Sequence, residues 1–218
     1  MTDTKQNKKT ERPKTAGPKP FIYDLLLFLA WLLLKLLYGI QFVRDARIEE
    51  TDGPYFIIGN HTSYIDPAFC ALAISNHRIR FVTGQEVANT KWLRPLFKHL
   101  GIIEIKPFHV NFSSTREIIS SIADGHSVAL YPETQRSMAG GLTPFGSATA
   151  KLIKHLKAPV AAVVCRGAYL GWPRWAKGLR PGKIVVETHL LFTRDEIASM
   201  SIDDIQRRLV HAVHVDDY

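Results

Sequence analysis

Cysteine is nearly absent from this chain. Its two copies, Cys70 and Cys165, stand far apart and form no C-x-x-C pair. That excludes a disulfide framework and a zinc knuckle, and it suits a reducing, cytoplasmic-side compartment. Nine histidines are present but form no close metal-ligand array. No G-x-S-x-G elbow occurs, so the serine nucleophile of that motif is excluded. There is no internal repeat, and no basic-aromatic motif of the kind that reads nucleic acid. Charged residues make up only 22% of the chain and hydrophobic ones 46%. With 218 residues this composition predicts a packed core and one sizeable domain rather than two.

What is present is uneven. The formal net charge is +8, and half of it lies in the first twenty residues. There Lys5, Lys8, Lys9, Arg12, Lys14 and Lys19 face only Asp3 and Glu11. Residues 1–20, polar and rich in Pro and Gly, read as a basic disordered tail suited to an anionic surface. Residues 21–43 then turn sharply apolar. Leu25 to Leu34 is an unbroken apolar run, interrupted on either side by Asp24 and Lys35. A simple span needs about 20 apolar residues, so the run reaches across a bilayer only if Lys35 snorkels to the interface. Trp31 and Tyr38 are of the type that anchors at such interfaces. No small-x-small site follows, which argues against a cleaved signal. The segment reads as a membrane-associated helix, embedded or spanning, with the tail on an anionic cytoplasmic face.

From residue 44 to 218 short β-type runs alternate with helical stretches. Strands are predicted at Tyr55–Gly59, Ile79–Thr83, Ile102–Ile105, Ser127–Tyr131, Val160–Cys165 and Lys183–Thr188. Helices are predicted at Pro67–Ser75, Lys91–Leu100, Ser114–Ala123, Pro144–Leu156 and Ile202–His214, the Pro144 helix opened by the cap-and-start pair Thr143-Pro144. This rhythm predicts a single α/β domain: a central mixed or parallel sheet flanked by helices, preceded by the N-terminal membrane-associated helix. The row Lys151, Lys154 and Lys157 reads as a solvated helix face.

The chemistry gathers after the first of these strands. Tyr55-Phe56-Ile57-Ile58 runs into Gly59-Asn60-His61-Thr62-Ser63-Tyr64-Ile65-Asp66-Pro67, and ligands collect at the carboxyl ends of strands in α/β folds. Five residues separate His61 from Asp66, so on one helix they would face about 140° apart. They meet only if the segment between them turns. Asp66-Pro67 supplies a turn, with Asp as N-cap and Pro as first helical residue. A carboxylate on one ring nitrogen then leaves the other as a base. Spacing alone equally allows Asp66 to be a cap and His61 a loop residue bonded to a carbonyl.

Asn60-His61-Thr62-Ser63-Tyr64-Ile65-Asp66-Pro67 resembles the first signature block of the glycerolipid acyltransferase family, the relatives of 1-acylglycerol-3-phosphate acyltransferase. Three later segments follow in that family's order, over roughly residues 50–190. Gly101-Ile102-Ile103-Glu104-Ile105-Lys106-Pro107 stands at the second block, with Pro107 where the family has Arg and Lys106 one residue early. Tyr131-Pro132-Glu133-Thr134-Gln135-Arg136-Ser137 stands at the third, with Thr134 in place of Gly and Gln135 in place of Thr. Ala158 to Val164 resembles the fourth, an apolar strand around Pro159. The resemblance implies His61 as general base and Asp66 as its orienting group. It implies substrate contacts from Asn60, Ser63, Glu133, Arg136 and Ser137, with Arg136 the phosphate contact; Lys106 reads either as a substitute for the missing Arg in binding substrate or as a solvated strand-end charge. The implied substrates are a lysophospholipid, lysophosphatidic acid foremost, and an acyl thioester carried by coenzyme A or acyl-carrier protein, at a bacterial inner membrane. No metal or cofactor is implied. A different lysolipid acceptor, or a silent lipid-binding membrane protein, are the other readings. Thr134 is ill-suited to the positive φ that Gly takes readily, so an altered loop or headgroup is expected there.

Overall fold

A computed structural model describes residues 14–50, 53–91, 93–105, 112–141 and 143–214. The elements in chain order are α1 (Pro20–Leu37), β1 (Tyr38–Val43), α2 (Ala46–Glu50), β2 (Phe56–Gly59), α3 (Asp66–Ala73), β3 (Ile79–Gly84), α4 (Gln85–Ala88), α5 (Arg94–Leu100), β4 (Ile103–Ile105), α6 (Phe112–Ala123), β5 (Ser127–Leu130), α7 (Ala148–Leu156), β6 (Val160–Arg166), α8 (Ala168–Gly171), β7 (Gly182–Phe192), α9 (Arg194–Ser199) and α10 (Ile202–Val213). Among the described residues the strands form one seven-stranded sheet in the order β1-β7-β6-β2-β5-β3-β4. β2 to β6 run parallel to one another. β7 is antiparallel to β6, and β1 is parallel to β7. The α/β domain with a mixed sheet is therefore as the sequence predicts.

Burial on both faces explains why the central strands read as solid apolar runs rather than alternating ones. Phe56 and Ile58 of β2 point to one face, into a core with Val128, Val160, Ile153 and Leu209. Tyr55 and Ile57 point to the other, into a core with Phe69, Ala161, Ile184 and Leu34. Each of the first four is fully buried, which contributes about 1.5–3 kcal/mol per large side chain. α6, α7 and α10 cover the first face, while α1 and α3 cover the second.

Two of the differences from the sequence reading change an element. The apolar segment 21–43 is not helical throughout. α1 stops at Leu37, and Tyr38–Val43 is the edge strand β1, in register with 182–187 of β7. Tyr38 turns extended at the helix end, and its buried hydroxyl donates to the Gly171 carbonyl at 3.2 Å. Aromatic and β-branched residues around Gly39 favour a pleated edge once β7 offers a partner. Further on, Thr143-Pro144 does not open a helix. The Thr143 amide donates to the Glu133 carboxylate at 2.8 Å, and α7 starts only at Ala148, after Ser147.

α1 is an 18-residue helix long and apolar enough to cross a membrane, and only 11% of it is buried. Tyr23 and Leu34 are its buried contacts. The Tyr23 hydroxyl accepts from the Ile79 amide at 3.2 Å. Phe21, Leu25, Phe28, Leu32, Leu33 and Leu36 remain exposed.

Candidate active site

β2 delivers the chain to the loop through Gly59, where a Cβ would lie 2.9 Å from the Val163 carbonyl oxygen and 3.0 Å from the Tyr131 ring. No larger residue fits that approach. The loop turns back on itself before α3, and its pivot is Asp66. This residue is the first of the helix rather than its N-cap; Ile65 occupies the cap position and gives no side-chain bond. The carboxylate therefore reaches backward instead of capping α3. Its Oδ2 accepts from the amides of Thr62 and Ser63, both at 2.8 Å, and lies 3.0 Å from His61 Nδ1. A carboxylate accepts here, so the ring proton belongs on Nδ1 and Nε2 carries the free lone pair. Asp66 is shut away, with 1% of its side chain exposed, whereas His61 keeps 16%.

The turn after β5 holds the histidine from the other side. Tyr131 stacks on the His61 ring with centroids 4.4 Å apart and 20° between planes. Glu133, 3% exposed, accepts from the His61 amide through Oε1 at 2.8 Å and from the Thr143 amide through Oε2. The Ser137 amide donates to the His61 carbonyl at 2.8 Å. Both backbone groups of His61 are thus fixed by residues 133–137. Burial raises the Glu133 pKa above its usual value, and the two amides oppose that rise. Thr134 adopts φ 60°, so the turn takes the left-handed backbone that its side chain disfavours.

His61 opens on a cavity of about 580 Å³, within the range of small-molecule sites. Leu26, Leu27 and Ala30 of α1, Ala68 and Ala71 of α3, and Phe97 and Leu100 of α5 supply apolar lining; Arg136 and Arg174 supply cations. The Arg136 guanidinium lies 3.6 Å above the Tyr64 ring, and its buried Nε has no hydrogen-bond partner among the described residues. Burial lowers the Arg136 pKa; Tyr64 counters this and the Arg174 charge adds to it. Arg174 is held by Gln135, donating to Oε1 at 3.1 Å.

Of the residues singled out by sequence, His61 and Arg136 face this cavity. The other described ones stand behind it. Asn60 is 2% exposed and brackets Cys165, donating to its carbonyl at 2.9 Å and accepting from its amide at 2.8 Å. Ser63 donates to the Trp172 carbonyl at 3.1 Å. Glu133 and Ser137 are spent on the His61 loop, and Asp66 on its backbone and ring. Lys106 lies outside the described residues. Sequence reasoning does not single out Tyr64, Tyr131, Gln135 and Arg174 as lining, and Arg174 sits in a segment with no periodic pattern to mark it. Both cysteines are buried, and burial pushes the Cys70 thiol far up, which makes it inert. Among the described residues no group of three His, Cys, Asp or Glu is placed to hold a metal.

Comparison with known proteins bears on the family and the fold. A 1-acyl-sn-glycerol-3-phosphate acyltransferase of Limnanthes douglasii is 27% identical over 183 residues, covering 82% of this chain and 64% of that protein. The Limnanthes alba protein of the same name matches to the same extent. The chain thus spans just under two thirds of the length of these relatives. The crystal structure of the 1-acyl-sn-glycerophosphate (LPA) acyltransferase PlsC from Thermotoga maritima shares the fold, with a TM-score of 0.73 and 16% identity over 89% of this chain and 78% of that one. The model of the Acyltransferase family matches residues 39–166, from within β1 to the end of β6. The chain belongs to the Acyltransferase family.

Proposed function

We propose that this protein is an O-acyltransferase that moves a fatty acyl chain from a thioester to the free hydroxyl of a lysophospholipid, lysophosphatidic acid to phosphatidic acid in the first instance. The observation that carries the reading is the His61–Asp66 pair, 3.0 Å apart, opening on a cavity with apolar walls and two arginines. Lysophosphatidic acid combines those chemistries, an acyl tail and a phosphate. Names borne by the Limnanthes and Thermotoga proteins point the same way.

The steps follow from the residues. Apolar walls take the acyl chains, and Arg136 and Arg174 take the anionic headgroup, where a guanidinium fork matches phosphate oxygens. His61 Nε2 removes the proton from the acceptor hydroxyl as its oxygen attacks the thioester carbonyl carbon. Asp66 stabilises the imidazolium that forms and holds the ring in position. The tetrahedral intermediate collapses with cleavage of the C–S bond, and the proton on Nε2 passes to the departing thiolate. The substrate hydroxyl stands where a protein nucleophile would otherwise act. Coenzyme A and acyl-carrier protein are the candidate donors, and no metal or other cofactor is required. α1 measures about 27 Å at 1.5 Å per residue, slightly less than a hydrocarbon core of about 30 Å. Its contacts at Tyr23 and Leu34 hold it along the domain, so we read it as lying in the cytoplasmic-side interface.

Labelled acyl-CoA and lysophosphatidic acid, given to the lipid-reconstituted protein, test the proposal. Wild type is expected to make phosphatidic acid, and His61→Ala to be slower by roughly 10²–10⁴-fold with an unchanged circular dichroism spectrum. Retained turnover in His61→Ala would sink the mechanism. A second reading, a different lysolipid acceptor, is motivated by Gln135 and Arg174 at the headgroup end; product from another acceptor alone would establish it. No product with any donor or acceptor would indicate a silent lipid-binding protein.

A further inference from the structure

Residues 167–181 leave the carboxyl end of β6, the end of the sheet at which His61 follows β2, and return into β7. They are tied to the turn that follows Ser137. Tyr169 Oη donates to the Met138 carbonyl at 2.8 Å, and Trp175 Nε1 donates to Tyr169 Oη at 2.9 Å. Gly140 lies flat against the Tyr169 ring, where a Cβ would come within 2.9 Å. The two segments therefore form one fixed platform. It nevertheless turns its large apolar side chains outward: Leu170 is 60% exposed, Met138 57% and Trp175 51%. The charges beside them are all positive. Arg174, Lys177 and Arg180 are exposed, with the Arg180 guanidinium 4.6 Å over the Trp175 ring, and no Asp or Glu occurs between Glu133 and Glu187.

An exposed indole and leucine ringed by cations match the interface of an anionic bilayer, which takes apolar groups and cations together. The platform also meets the carboxyl end of α1. Tyr38, the residue after α1, bonds to Gly171 within it, and Arg174 lines the same cavity as Leu27 and Ala30 of α1. We propose that this platform is a second bilayer-contact surface, which seats with α1 on an anionic membrane and holds the rim of the cavity at the interface. An acidic protein such as an acyl carrier would meet the cations. It has no comparable use for the exposed apolar side chains here and on α1, and the bilayer uses both.

The test reads position, not turnover, so it succeeds or fails apart from the acyl-transfer proposal. Cys70 and Cys165 are buried, so Leu170→Cys in the full-length chain offers an exposed thiol for a nitrobenzoxadiazole label. Ala198→Cys in α9 serves as control, on an exposed residue past the far end of β7. With vesicles of phosphatidylcholine and phosphatidylglycerol, emission at 170 is expected to shift to the blue, rise about twofold or more, and be quenched by brominated lipid. The label at 198 stays unchanged. Adding Lys177→Glu, Arg180→Glu and Trp175→Ser to the 170-labelled protein is expected to cut its response by about half or more, while α1 still carries the protein into the vesicle pellet. An unaltered 170 label on pelleted protein overturns the proposal. So does a charge-reversed variant that responds like the parent, or a 170 label that responds to acyl-carrier protein in solution and not to vesicles.

Discussion

At Thr134 the backbone is held at φ 60°, a conformation that costs a non-glycine residue about 1–2 kcal/mol. The turn keeps this shape because its neighbours demand it. The Thr134 amide bonds the Tyr131 carbonyl, and Glu133 and Ser137 on either side bind the two backbone groups of His61. The threonine thus takes up the left-handed backbone that glycine adopts readily, and strain is the result. Thr134→Gly is expected to raise stability by about 1 kcal/mol, seen as a higher midpoint in thermal unfolding; an unchanged or lower midpoint would mean that the turn is unstrained. Glu133 carries a second consequence. Burial raises its pKa, so the native state holds this proton more tightly than the unfolded chain. Its contribution is complete below the ordinary glutamate value and is lost as pH climbs through the raised one. Glu133→Gln is expected to lack that slope in urea unfolding across the same window. It should also lose about 1–3 kcal/mol, since one buried amide is left without an acceptor. The motif marked Glu133 as important, but its partners are amides at 61 and 143, a pairing that linear spacing does not encode.

Among the elements, the apolar period announced α1 and the helix–strand rhythm announced six of the strands in the sheet. β1 was hidden because Tyr38–Val43 continues an apolar run, and helix or strand there depends on whether β7 lies alongside. The lysines of α7 give a similar lesson. Lys154 is not on a solvated face: its Nζ donates to the carbonyls of Ile197, Ala198 and Met200 at 2.7, 2.9 and 2.7 Å. It closes the carboxyl end of α9, where carbonyls lack helical partners and a cation meets the dipole favourably. Lys154→Met is expected to lower unfolding stability by about 1–3 kcal/mol and leave acyl transfer intact. A loss below about 0.5 kcal/mol would mean that water replaces the lysine without penalty.

Over the whole molecule, charge and apolar surface bear on the bilayer seating proposed above. The N-terminal twenty residues hold half of the excess charge, while α1 offers the exposed apolar face. Charge attraction is screened within about 3 Å at 1 M salt, and apolar burial is not. Sedimentation with anionic vesicles is therefore expected to weaken between 0.1 and 1 M salt without vanishing; complete release at high salt would show that α1 stays off the bilayer. The amino-acid order alone determined the α/β class, the apolar N-terminal helix, and the loop that carries His61 and Asp66, because these rest on local periodicity, turn residues and short spacings. Tertiary structure decided the rest. It spent Asn60, Ser63, Glu133 and Ser137 on fixing loops, brought Arg174 to Arg136 across the sheet edge, and built the cavity from α1, α3 and α5. Those outcomes depend on which distant backbone groups need a partner once buried, and that demand exists only after the chain has folded.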